Sequence, residues 1–93
     1  MSSRRATVMR VYDSTTLIIR PNTAIKLYGI EPLKRGSEIE EKAKLRLEEL
    51  TLGKKIEFQT IEWDRLGRSI AIVKVDGFNL NEYLKKFIED QKI

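Results

Sequence analysis

The chain contains no cysteine and no histidine among its 93 residues. Disulfides, cysteine-based zinc sites, thiol nucleophiles and histidine general bases are therefore excluded. Any bound metal has to be a hard cation held by oxygen ligands. A chain free of cysteine suits a reducing compartment, so a cytoplasmic location is expected. Long apolar runs are missing too. None approaches the roughly 18 residues of a membrane-spanning helix. The basic start, MSSRR, is not followed by the apolar stretch of a secretory signal, and no membrane partner is expected. The length suits one domain, residues 1–93, and is too short for a multi-domain enzyme with an internal cofactor cleft.

What is present is a small core and an uneven charge. Hydrophobic residues make up 41% and charged residues 34%, enough apolar material to fold and too much for a disordered chain. The net charge is +4. Residues 1–35 hold seven basic residues (Arg4, Arg5, Arg10, Arg20, Lys26, Lys34, Arg35) against two acidic ones (Asp13, Glu31), and the rest is slightly acidic. Basicity concentrated in this way favours a polyanionic partner.

Residues 6–12 (ATVMRVY) and 16–20 (TLIIR) are apolar and β-branched, and Asp13, Ser14 and Thr15 supply a polar turn, which predicts a hairpin. Residues 24–30 (AIKLYGI) read as a third strand, with Gly29 as a bulge or a close approach. Ser37 and Glu40 match a capping box, each side chain serving the other's backbone N–H. Ile39, Ala43, Leu47 and Leu50 then form one helical stripe, with Leu45 off it, and Gly53 stands at the helix end. Residues 55–62 form a fourth strand with Ile56 and Phe58 on one face, residues 63–68 a turn, and residues 69–75 a fifth strand. After an Asp76-Gly77 turn, Asn79 and Glu82 repeat the capping pattern. Leu80, Tyr83, Leu84, Phe87 and Ile88 make the apolar face of a second helix, with Tyr83 and Phe87 expected in the core. The order β-β-β-α-β-β-α predicts a mainly β (α+β) fold, a five-stranded barrel of the oligonucleotide-binding type.

Four segments carry a resemblance: ATVMRVYDSTT, IKLYGIEP, EEKAKLRLEELTLGKKIEF and DRLGRSIAIVKVDGFNLNEYLKK. In order and nearly ungapped, they resemble the staphylococcal-nuclease-like (thermonuclease) family from about Ala6 to Phe87. The resemblance implies calcium-dependent cleavage of DNA and RNA phosphodiesters, with two metal-binding aspartates, a glutamate that activates water, and two arginines on the phosphate. Cations and guanidinium groups stabilise the charge that develops on equatorial phosphoryl oxygens.

Most of that set is replaced here. The first metal aspartate falls on Thr15, with Asp13 kept beside it in a turn-supporting place. The first arginine falls on Lys26, which lacks a bidentate fork. The second metal aspartate falls on Glu31, and the glutamate falls on Lys34, with Glu38 the nearest substitute carboxylate. Arg68 alone is retained.

The expectation is a domain that binds DNA or RNA through Arg10, Lys26, Lys34, Arg35 and Arg68, joined by Arg20, and lacks phosphodiesterase activity. Two alternatives accompany it. One is a weak Ca²⁺-dependent nuclease using Glu31, Lys26 and Arg68, with Glu31 and Asp13 on the metal. The other is a protein-interaction module. No cofactor is expected otherwise. Arg68 has a competing role as a turn residue paired with Asp64 or Glu31, and Glu31 as a partner of Lys26. Tyr12, Tyr28 and Trp63 are candidate stacking aromatics, with core or edge packing as the commoner use of such residues. The family's enzymes continue past the second helix, so an uncovered apolar face there, suited to a homodimer or a protein partner, is a further expectation.

Overall fold

A computed structural model describes residues 3–91. Among them the alternating apolar segments build β1 (Arg4–Asp13), β2 (Thr16–Ile19), β3 (Thr23–Leu27), β4 (Lys55–Trp63), β5 (Ser69–Val75) and a two-residue β6 (Phe78–Asn79). Helix α1 (Glu38–Thr51) follows β3, and α2 (Leu80–Gln91) follows β6. The expected element order holds, with β6 added as a short antiparallel partner of β5.

β1 pairs antiparallel with both β2 and β4, β2 with β3, and β4 with β5. β3 and β5 then pair in parallel, residues 25–27 against 69–71, which closes a five-stranded mixed barrel of the oligonucleotide-binding type. β1 serves two partners because it bends. Val8 and Val11 are both buried although three residues apart, and a register shift between Val8 and Arg10 supplies the extra residue. The core runs through the barrel from Leu17, Ile25, Ile56 and Val73 to Ala43 and Leu47 of α1, and to Leu80, Leu84 and Ile88 of α2.

Several expectations need correction. β3 stops at Leu27, so Gly29 lies in a turn beyond it, with φ at +81°. Nothing lies within 4 Å of where a Cβ would stand, so Gly29 serves a left-handed backbone and not a close approach. The capping box at α1 is half formed. Ser37 Oγ accepts from the Glu40 N–H at 3.2 Å, but Ser37 N–H donates to the Lys34 carbonyl and the Glu40 carboxylate goes elsewhere. On α2, Leu80, Leu84 and Ile88 are buried and Phe87 partly so beneath the Arg46 guanidinium, whereas Tyr83 is 39% exposed against the Phe78 ring. The apolar stripe of α2 packs on β5 and α1, with Tyr83 at its edge left partly exposed.

The turns behave as their composition requires. Asp76 and Gly77, at φ +51° and +82°, make the left-handed two-residue connection that joins twisted strands without splaying them. At the far end of the sheet, Glu82 N–H is accepted by Asn79 Oδ1, which starts α2. No helix among the described residues is long and apolar enough to cross a membrane.

Candidate nucleic-acid interface

The β1–β2 turn, where the resemblance implies a metal ligand, is built on Asp13. Its Oδ1 accepts from Thr15 N–H at 2.9 Å and from Thr15 Oγ1 at 3.2 Å, an Asx turn. The next donor, Ser14 N–H, is buried and is accepted by Glu40 Oε2 at 3.0 Å. Glu40 is itself buried, in the first turn of α1, where the helix dipole favours a carboxylate. Helix α1 therefore clamps the turn through a side chain that sequence spacing assigned to a cap. Arg35 lies beside this turn, its guanidinium 5.4 Å from the centre of the Tyr12 ring.

The outward face of β1, β2 and β3 carries the cations. Alternation buries Ile25 and Leu27 inside the barrel and turns Lys26 outward. Lys26 pairs across the sheet with Thr16 on one side and Ile70 on the other, so no carboxylate stands directly opposite it. One row away, Arg10 of β1 stands opposite Ile18, which stands opposite Ala24. Ile18 is buried yet lies outside the core cluster, shielded by its neighbours on this outer surface. The face is thus an apolar strip with Arg10 and Lys26 set in it. Neither makes an ion pair among the described residues.

Arg68 stands on the adjoining β4–β5 turn, two residues before Ile70. Asp64 organises that turn. Its Oδ1 accepts from the Leu66 and Arg68 N–H groups, and its Oδ2 accepts from Arg68 Nε at 2.6 Å. The alternative pairing of Arg68 with Asp64 is therefore realised, through Nε alone. The Nη groups make no hydrogen bond among the described residues.

Asp64 is 15% exposed at its side chain. Partial burial pushes its carboxyl up, but the hydrogen bonds from Arg68 and Leu66 and the Arg68 charge outweigh this and hold it below its ordinary 3.8. A carboxylate lowered in the folded state contributes stability that is present above its unfolded pKa and lost as pH falls through the folded one. The urea midpoint is expected to fall on acidification below pH 3.8, and Asp64→Asn to lose less over that window while starting weaker at pH 7. Parallel decline of the two proteins would remove Asp64 from the account.

The remaining candidates do not join this face. Glu31 and Lys34 are exposed on the β3–α1 loop and line a cavity of about 420 Å³ with Lys85, Ile88 and Glu89 of α2. The Lys26–Glu31 pair offered by the sequence does not form. Glu38 points away on α1, paired with Lys42 at 3.2 Å. The donor set does not fit a calcium ion. Asp13 spends an oxygen on its own turn, position 15 offers only a hydroxyl, and Glu31 shares its cavity with two lysines. Among the described residues no three carboxylates gather.

The candidate stacking aromatics lie outside the core. Tyr12 is 50%, Tyr28 43% and Trp63 62% exposed. Sequence reasoning also missed Asn81. This buried side chain accepts from Val73 N–H at 2.8 Å and donates to the carbonyls of Tyr28 at 2.8 Å and Ala71 at 3.0 Å. It continues the β3–β5 ladder where β3 has ended, and so fixes the seam beside Lys26. The only signal available was a polar residue in the first turn of an amphipathic helix. A scan against protein-family models matches none, and a search of curated proteins finds no significant relative.

Proposed function

We propose that this chain is a nucleic-acid-binding barrel, similar to the staphylococcal nucleases, that grips phosphodiesters without cleaving them. The observation that carries the reading is the outward face of β1, β2 and β3, where Arg10 and Lys26 make no ion pair among the described residues, with Arg68, held at Nε by Asp64, on the adjoining turn. Cations set on one strand surface suit the phosphates of a nucleic-acid backbone. Such contacts are electrostatic and largely indifferent to sequence. A neutral hydroxyl at Thr15 and a cation at Lys34, where the resemblance implies carboxylates, support binding without cleavage. A cytoplasmic setting suits a chain without cysteine.

Fluorescence anisotropy with short DNA and RNA duplexes tests this. Binding is expected at about 50 mM salt, weakening steeply with added salt. Lys26→Ala is expected to weaken all sequences alike and to reduce the salt slope by about one. No binding at low salt would end the proposal. Calcium-dependent cleavage that disappears in Arg68→Ala would replace it with the nuclease reading.

A further inference from the structure

A second basic patch lies apart from the face described above. A cavity of about 290 Å³ lies there, between the start of β1, the β2–β3 connection and the ends of β4 and β5 that meet at Ser69. Arg4, Arg5 and Arg20 form its rim, and Trp63 stands beside them, 62% exposed. Among the described residues no carboxylate lines it. None of the three arginines makes an ion pair among the described residues, although Arg5 stands opposite Glu57 in the β1–β4 ladder. Its wall carries a hydroxyl pair, Thr60 Oγ1 and Ser69 Oγ, 2.7 Å apart.

We infer that this cavity is a binding pocket for one phosphate-bearing nucleotide, with the base laid on Trp63 and the phosphate held by Arg4 and Arg20. The chemistry selects this ligand. Arg4 and Arg20 fit a phosphate, because their planar forks match its oxygens, whereas Arg5, next along the strand, also faces Glu57. An indole left half in water next to them offers a stacking surface that any base accepts. The half-buried Thr60 hydroxyl adds one polar contact for a base or sugar edge. The volume admits a single nucleotide and excludes a duplex, whose inner bases are not free to stack. A free nucleotide and the phosphorylated end of a single strand share this chemistry.

The pocket does not depend on the outer face. It shares no residue with Arg10, Lys26 or Arg68, so the two readings fail separately.

Trp63 is the only tryptophan, so the chain carries its own probe. Titration with adenosine 5′-monophosphate is expected to quench tryptophan emission saturably, and adenosine without phosphate is expected to bind about tenfold more weakly. Arg20→Ala and Arg4→Ala are each expected to weaken the nucleotide by about tenfold. Lys26→Ala is expected to leave the quench unchanged. Thermal melts of all variants confirm folding, and calorimetry with the unaltered protein gives the affinity independently of emission.

A 5′-phosphorylated tetranucleotide that competes with the nucleotide, where its 5′-hydroxyl counterpart does not, assigns a strand end. Failure of both to compete assigns a free nucleotide. Either supports the pocket. Absence of quenching and heat at millimolar nucleotide, or an affinity untouched in both arginine substitutions, overturns it while leaving duplex binding by the outer face to its own test.

Discussion

Asn81→Ala is expected to cost about 3 kcal/mol and to lower the melting temperature by more than about 10 °C. The side chain serves one backbone donor and two backbone acceptors at the seam where β3 leaves β5. Removing it strands Val73 N–H and takes a donor from Ala71 and Tyr28, and each buried unpaired group costs roughly 1–3 kcal/mol. The second variant separates hydrogen bonding from volume. Asn81→Asp keeps an acceptor for Val73 but sets a carboxylate against two carbonyls. Its pKa is thereby raised in the folded state, so its stability is expected to improve as the pH is lowered from 8 to 5. A melting temperature in Asn81→Ala within a degree or two of the parent would show that the seam does not need this plug.

Glu40→Ala is expected to destabilise by about 2 kcal/mol, because the buried Ser14 N–H loses its acceptor. Glu40→Gln retains a carbonyl oxygen at the same reach and is expected to recover most of that loss. The measurement specific to the claim is amide exchange at Ser14, which should accelerate at least tenfold in Glu40→Ala and far less in Glu40→Gln. Unchanged Ser14 exchange in the alanine variant would show that the turn holds itself through Asp13 alone. The effect reaches the candidate interface, because Thr15 O accepts from Leu27 N–H at 2.9 Å and so ties the turn to the residue after Lys26.

The two residues also mark where the sequence stopped being informative. Apolar, β-branched runs and, at residues 55–62, alternation placed the five long strands, and Asp76 with Gly77 named a turn, because strand and turn preferences are local. The stripe from Ala43 to Leu47 and the exposure of Leu45 were legible for the same reason. Glu40 was visible only as a cap, since spacing of three along a helix cannot reveal a turn folded against it from residue 14. Asn81 looked like an ordinary helix-start residue, since its partners lie on two strands that meet only in three dimensions. Tyr83 followed the helical period into the predicted core, yet the stripe is wider than the surface available to cover it, and its edge stays in water. The cations of residues 1–35 were counted correctly as an excess, but their division between an outer face and a second patch depends on which strand end each one occupies. Glu31 was placed beside Lys26 by alignment with a motif, and the turn at Tyr28 and Gly29 carries it away instead.

The parallel seam between β3 and β5 has a consequence for how the protein fails. While residues 25–27 and 69–71 stay paired, the ring presents almost no unsatisfied strand edge, and only the two-residue β6 ends the sheet. Open that seam and two ribbons with apolar inner faces are unmasked together, each a template for a neighbouring chain. A weakened protein of this kind precipitates by intermolecular β-pairing before it fully unravels, so solubility on warming reports on closure of the ring more directly than loss of helix does.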